Sequence, residues 1–169
     1  MYKKINIRLA TLDDMKNVFD LSNDATVRQN SIHTEKIEWK DHIKWFKQRI
    51  SKKDEPFYIA EDEQKNMIGQ VRIDKNNEEY IVSISIKEEY RGHGYGQIII
   101  SEAVKKSKLN NVTAYIYENN KSSIKAFEKA GFENTGLLKF IFKSSKVTIK
   151  SAHIIAMFAS GKSLIIFNV

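Results

Sequence analysis

The sequence predicts an α/β fold in which helices interrupt a largely antiparallel sheet. Three observations predict it. Residues 5–9 (Ile-Asn-Ile-Arg-Leu) alternate apolar and polar side chains with the period of a half-buried strand. Three further strand-like runs, Phe57 to Glu61, Met67 to Ile73 and Tyr80 to Ile86, follow one another over short links that suit antiparallel neighbours. A glycine-rich turn then opens a helical pattern, and strand and helix alternate from there on.

The elements can be justified in order. After the first strand, Thr11 is an N-cap type residue, and Asp13 and Asp14 fall in the first turn, where the helix dipole favours anions. Met15, Val18, Phe19 and Leu21 keep helical spacing until Ser22-Asn23-Asp24 breaks it. A second helix fits Trp39 to Ile50, with Ile43, Phe46 and Ile50 on one face. Pro56, the only proline, precedes the strand Phe57 to Glu61, and Lys75-Asn76-Asn77 reads as the turn before Tyr80. Ile98, Ile99, Ala103 and Val104 mark the next helix, and Val112 to Tyr117 the next strand. Asn119-Asn120 opens a helix that ends at Gly131, the usual glycine past a helix end. Strands are expected over Leu137 to Phe142 and Val147 to Phe158, with residues 159–169 an extra strand or tail of a single domain spanning 1–169.

Composition narrows the function. The chain has 169 residues, enough for one well-buried core, and 41% hydrophobic with 29% charged residues is an ordinary globular balance. With no cysteine, disulfides, thiolate metal sites and a cysteine nucleophile are excluded. His33, His42, His93 and His153 show no metal-ligand spacing, so no metal is expected. The longest apolar run, Ile154 to Ala159, falls well short of the roughly 18 residues of a membrane span, which makes the cytoplasm the expected location. The net charge of +7 fits a polyanionic ligand or a plain lysine surface. A basic nucleic-acid-binding module would also explain it, but the chain has only five arginines, far apart, and no stacking motif.

Chemistry concentrates at 80–105. Gly92, Gly94 and Gly96 alternate at the start of a helix, so backbone N–H groups can turn toward an anion without a Cβ in the way. The spacing is G-x-G-x-G, not the G-x-G-x-x-G of a dinucleotide fold, and Gly161-Lys162-Ser163 lacks the first glycine of a P-loop because position 156 is alanine.

These residues resemble the GNAT acetyltransferase superfamily. Arg91, Gly94 and Gly96 fill its Arg/Gln-x-x-Gly-x-Gly/Ala loop, and Asn120, Ser123-Ile124 and Phe127-Glu128-Lys129-Ala130-Gly131-Phe132 fill its second motif. The resemblance implies a mixed, mostly antiparallel sheet splayed between the fourth and fifth strands and flanked by helices. It also implies acetyl-CoA as co-substrate, held in that split. The cofactor would meet Ile84, Ser85 and Ile86 of the fourth strand, Arg91, Gly92, His93, Gly94, Tyr95 and Gly96 of the loop, and Asn120, Ser123 and Phe127 of the last helix. An amine would then attack the thioester directly.

The sequence departs from the family at the acid and base. The position of the usual tyrosine is Phe127, which cannot donate a proton, and the fourth strand carries no glutamate within Ile81 to Ile86. Glu78 and Glu79 lie just before that strand, Tyr117 ends the fifth, and Ser123 sits near a helix start; Glu79, Tyr117 and Ser123 are the remaining candidates. For the acceptor, Asn23, Arg28, Asn30 and His33 could meet a phosphate, carboxylate, sugar hydroxyl or peptide carbonyl. The 23–50 segment resembles the branches that acetylate amino-sugar nucleotides or ribosomal-protein N-termini, and the charge favours the former. A small-molecule amine is the expected partner, with a homodimer left open and no membrane or nucleic acid.

Overall fold

Antiparallel hairpins build one side of the sheet and a helical crossover builds the other. The computed structural model describes residues 4–31, 33–77, 79–136 and 139–142, without the side chains of Lys139 and Phe140. The strands expected at 147–158 and 159–169, and Glu78, lie outside the described residues. Strands β1 (Asn6–Leu9), β2 (Phe57–Glu61), β3 (Met67–Asn76), β4 (Glu79–Ile86), β5 (Val112–Tyr115), β6 (Glu133–Asn134) and β7 (Lys139–Phe142) pair in the order β1-β2-β3-β4-β5-β7-β6. All neighbours are antiparallel except β4 and β5. The β3–β4 hairpin turns at Asn77, whose φ of 56° is one that asparagine tolerates better than most residues.

Among the described residues five helices flank the sheet: α1 (Met15–Ser22), α2 (Ala25–Gln29), α3 (Trp39–Ile50), α4 (Tyr95–Ser107) and α5 (Lys121–Lys129). On one face, Ile99, Ile100, Ala103 and Val104 of α4 and Phe127 of α5 pack on Val71, Ile73, Val82 and Ile84. On the other, Val18, Leu21 and Phe46 of α1 and α3 cover Phe57 and Ile59. Alternate residues of β2 thus serve two separate cores, as a strand's period of two requires.

Three local expectations change. The break at Ser22-Asn23-Asp24 is itself the start of a short helix, because Asp24 caps α2 by accepting the Val27 amide at 3.0 Å. Phe46 and Ile50 pack on the core as expected, but the most buried side chains of α3 beside Phe46 are His42 and Arg49, and Ile43 is not among the core residues. The buried polar side chains find partners there. His42 Nε2 lies 3.0 Å from the Met15 carbonyl among the rings of Phe19, Trp39, Trp45 and Phe46, and burial lowers its pKa. Arg49 donates to Asp74 at 2.8 Å and to the carbonyls of Ile73 and Glu55. The first helix likewise begins as a single 3-10 turn over Leu12–Asp14. Arg8 grips Asp14 there with two 2.7 Å hydrogen bonds and reaches Glu61 as well.

Candidate active site

The sheet opens where β4 parts from β5. The parallel ladder holds only Tyr80↔Val112 and Ile81↔Thr113, while β4 runs on to Ile86 without further pairing to β5. The strands therefore diverge toward the C-terminal end of β4, leaving that edge for a ligand's backbone-like amides. At this open end the chain turns through a 3-10 turn (Glu88–Tyr90) into the glycine loop and α4.

Gly92 and Gly94 have φ of 76° and 79°, a conformation that strains any residue with a Cβ. Among the described residues none outside α4 accepts a hydrogen bond from the amides of Gly92, His93, Gly94, Tyr95 or Gly96. First-turn amides have no intrahelical acceptor either, so this loop presents donors together with the positive end of a 13-residue helix. The arrangement suits a pyrophosphate.

The side chains divide differently from the backbone. Arg91 does not point its guanidinium at the loop: Nε donates to the Ile86 carbonyl at 2.8 Å and Nη2 to Asp24 at 2.9 Å. Although burial opposes it, this contact and the Val27 amide hold the Asp24 carboxyl below its ordinary pKa. Arg91 thereby ties the end of β4 to the cap of α2. His93 is exposed, and the Tyr95 ring is buried edge-to-face on Tyr90 at 5.6 Å, so only its amide belongs to the loop.

On α5, Asn120 is the N-cap, accepting the Ser123 amide at 3.1 Å and facing Asn30 across 3.5 Å. Ser123 and Phe127 are both 0% exposed, which corrects their expected place on a ligand-facing surface. Phe127 instead packs edge-to-face on Phe132 at 5.0 Å. Phe127→Tyr is therefore expected to cost about 1–3 kcal/mol of stability for an unpaired buried hydroxyl. It should change kcat less than about tenfold. Thermal melting and a thiol-release assay check both.

Glu79 is also relocated. Its carboxylate accepts from Thr113 and Tyr115, each at 2.8 Å, at the closed end of the split. Seven residues separate it from Ile86, about 23 Å of strand, so it cannot serve as base at the open end. Burial, and then this carboxylate, push the Tyr115 phenol well above its usual pKa. β5 ends at Tyr115 rather than at Tyr117, which lies on the segment leading to α5, where its carbonyl accepts the Asn120 amide at 2.9 Å.

The acceptor candidates mostly hold the roof together. Asn23 donates to the Ile37 carbonyl at 3.1 Å and accepts its amide at 2.8 Å. Arg28 donates to the carbonyls of His33 and Glu35 and to Ser31, and His33 is exposed. Asn30 bonds the Thr26 carbonyl at 3.0 Å and meets Asn120. Sequence reasoning missed Arg72, Gln70 and Ser83, buried on the sheet face beneath these residues. A polar residue in each of two facing strands was the available signal. Among the described residues no group of three or more His, Cys, Asp or Glu side chains could hold a metal ion, and no helix is long and apolar enough to cross a membrane.

A strand pair that splits beside a glycine loop at a helix N-terminus defines a class, the acetyl-CoA-dependent N-acetyltransferases. The model of the acetyltransferase (GNAT) domain matches residues 4–133, and the chain belongs to that family, with acetyl-CoA as co-substrate. It is 31% identical over 143 residues to Bacillus subtilis (strain 168) YwnH, provisionally named a phosphinothricin acetyltransferase; the match covers 79% of this chain and 86% of YwnH. A crystal structure under the same provisional enzyme name is 28% identical with a TM-score of 0.65, covering 82% and 94% of the two chains. Spermidine N-acetyltransferase from Vibrio cholerae, solved with CoA and spermine, shares the fold at 20% identity and a TM-score of 0.69, over 81% and 91%.

Proposed function

We propose that this chain moves the acetyl group of acetyl-CoA directly to the primary amine of a small acceptor, without an acyl-enzyme. The observation that carries the reading is the early end of the β4–β5 ladder beside the glycine loop's free amides. In this reading the pantetheine arm lies along Ile84–Ile86, the amides of Gly92 to Gly96 take the pyrophosphate, and Asn120 forms the opposite wall. Arg91 positions both the loop and the roof. The neutral amine attacks the thioester carbon, a C–N bond forms, the C–S bond breaks, and the amine's proton passes to solvent. The thiol's pKa lies near that of free cysteine, about 8.5, so the thiolate is a tolerable leaving group.

Tyr117, on the segment between the end of β5 and Asn120, is the proposed donor that protonates it. Tyr117→Phe is expected to lower kcat by about ten- to a hundredfold. The acetyl-CoA KM should stay within about threefold. Unchanged kcat would assign the proton to water.

A nucleotide-linked amino-sugar would depend on Arg28 for its phosphates, and both Nη atoms of Arg28 already serve the roof. The relatives at 31% and 28% identity carry the name of a compact amine instead. Thiol release from acetyl-CoA, measured over phosphinothricin, α-amino acids, polyamines, a UDP-linked amino-sugar and peptides with free N-termini, tests the reading. Turnover confined to the last two would overturn it.

A further inference from the structure

The face of β3 and β4 turned away from α4 is polar where an ordinary core would be apolar. Cross-strand pairs Gln70↔Ser85 and Arg72↔Ser83 place four polar side chains side by side, all of them more than nine-tenths buried. Ser85 lies at the open end of the split, so this floor adjoins the segment of β4 given above to the cofactor. Its roof is α1 and α2: Gln70 Nε2 reaches Ser22 at 3.4 Å, and Arg28 stands close enough for its charge to act on Arg72.

The floor is unfinished. Arg28 Nε, Gln70 Oε1 and Ser83 Oγ are buried side-chain atoms without a hydrogen-bond partner. Arg72 lies over the Trp45 ring at 5.1 Å and makes no hydrogen bond or ion pair to any described residue. Asp74, whose charge acts on Arg72, is hydrogen-bonded instead to Arg49 at 2.8 Å. A guanidinium held on so sheltered a face without a hydrogen-bonded carboxylate is costly, and arginine does not escape by deprotonating. A purely structural role would be filled better by an aliphatic side chain of that volume.

The unmet groups complement one kind of ligand. Guanidinium donors match a carboxylate, Gln70 Oε1 matches an amine N–H, and Ser83 Oγ serves either. Resting on the acetyltransferase reading above, we propose that this floor is an acceptor subsite for a primary amine that carries a carboxylate close to the nitrogen. Arg72 anchors the carboxylate and Gln70 orients the amine toward the thioester. The same positive field disfavours a polyamine, which brings only positive charge.

The test compares matched acceptors. Phosphinothricin, L-glutamate and L-lysine are each set against their α-carboxamides and decarboxylated amines, with spermidine alongside, in a thiol-release assay and in titrations into the CoA-loaded protein. The expected result is a kcat/KM ratio favouring a carboxylate over its matched amine by at least about a hundredfold. Arg72→Gln should compress that ratio below about fivefold, mainly through KM, and Arg72→Lys should fall between. Each variant's melting temperature and acetyl-CoA affinity report whether it has folded. Equal use of carboxylates and decarboxylated amines by the unaltered protein, a preference for spermidine, or an unchanged ratio in a folded Arg72→Gln overturns the subsite. Absence of thiol release with every amine overturns the transfer reading instead. In that case the titration still decides the subsite: carboxylate-dependent binding lost in Arg72→Gln supports it, and no such binding overturns it.

Discussion

Gly94→Val is expected to abolish acetyl-CoA binding while leaving the sheet and its two cores in place. Gly94 sits at φ 79° as the residue before α4, and a Cβ there would meet no protein atom within 4 Å. The effect is therefore not a clash inside the fold. A β-branched residue is disfavoured at positive φ by about 1–2 kcal/mol or more, so the loop would leave the conformation that aligns its amides. Isothermal titration should show an affinity loss of at least about a hundredfold, the equivalent of ~2.8 kcal/mol. Affinity within about threefold of the unaltered protein would overturn the phosphate-loop assignment.

Gly69→Val is expected to damage the same site from behind, through stability. Gly69 pairs with Ile86 at the open end of β4, and any Cβ there would run into the Ser85 carbonyl and crowd the Ile86 Cα at 3.1 Å. Both contacts are backbone, which cannot swing aside as a flexible side chain can. Overpacking of this kind costs about 3 kcal/mol. For a chain of this length that corresponds to a fall in melting temperature of roughly 6–12 °C. The hairpin would have to bend at Ser85–Ile86, so acetyl-CoA affinity should fall too. A melting temperature within about 2 °C of the unaltered protein would show that β3 and β4 approach less closely than described.

Much of the site was legible because its signals are local. The glycines at 92 and 94 announce positive φ, Asn120 announces a cap, and Trp39 to Ile50 has a helical period from end to end. The roles of particular side chains were less legible. Arg91 reads in sequence as part of the loop, yet its guanidinium is committed to Ile86 and to Asp24, 67 residues away in the chain. Glu79 reads as a candidate base until the parallel register sets it at the closed end with Thr113 and Tyr115. Arg72 lies in an ordinary-looking strand and becomes conspicuous only once it is seen over the Trp45 ring with Asp74 bonded to Arg49.

The sequence by itself determined the order of the elements apart from α2 and β6, the antiparallel hairpins, the glycine loop and the family's motifs. These follow from backbone sterics and from hydrophobic period, which act within a few residues. Only the tertiary structure decided where β4 leaves β5 and which polar groups are already satisfied. It also decided that Phe127 and Ser123 are fully buried while Arg72, Gln70 and Ser83 share the sheet face turned away from α4. Those outcomes depend on which residues distant in the chain meet in space. A buried polar atom's partner, or its lack of one, is a property of the packed assembly rather than of its neighbours in sequence.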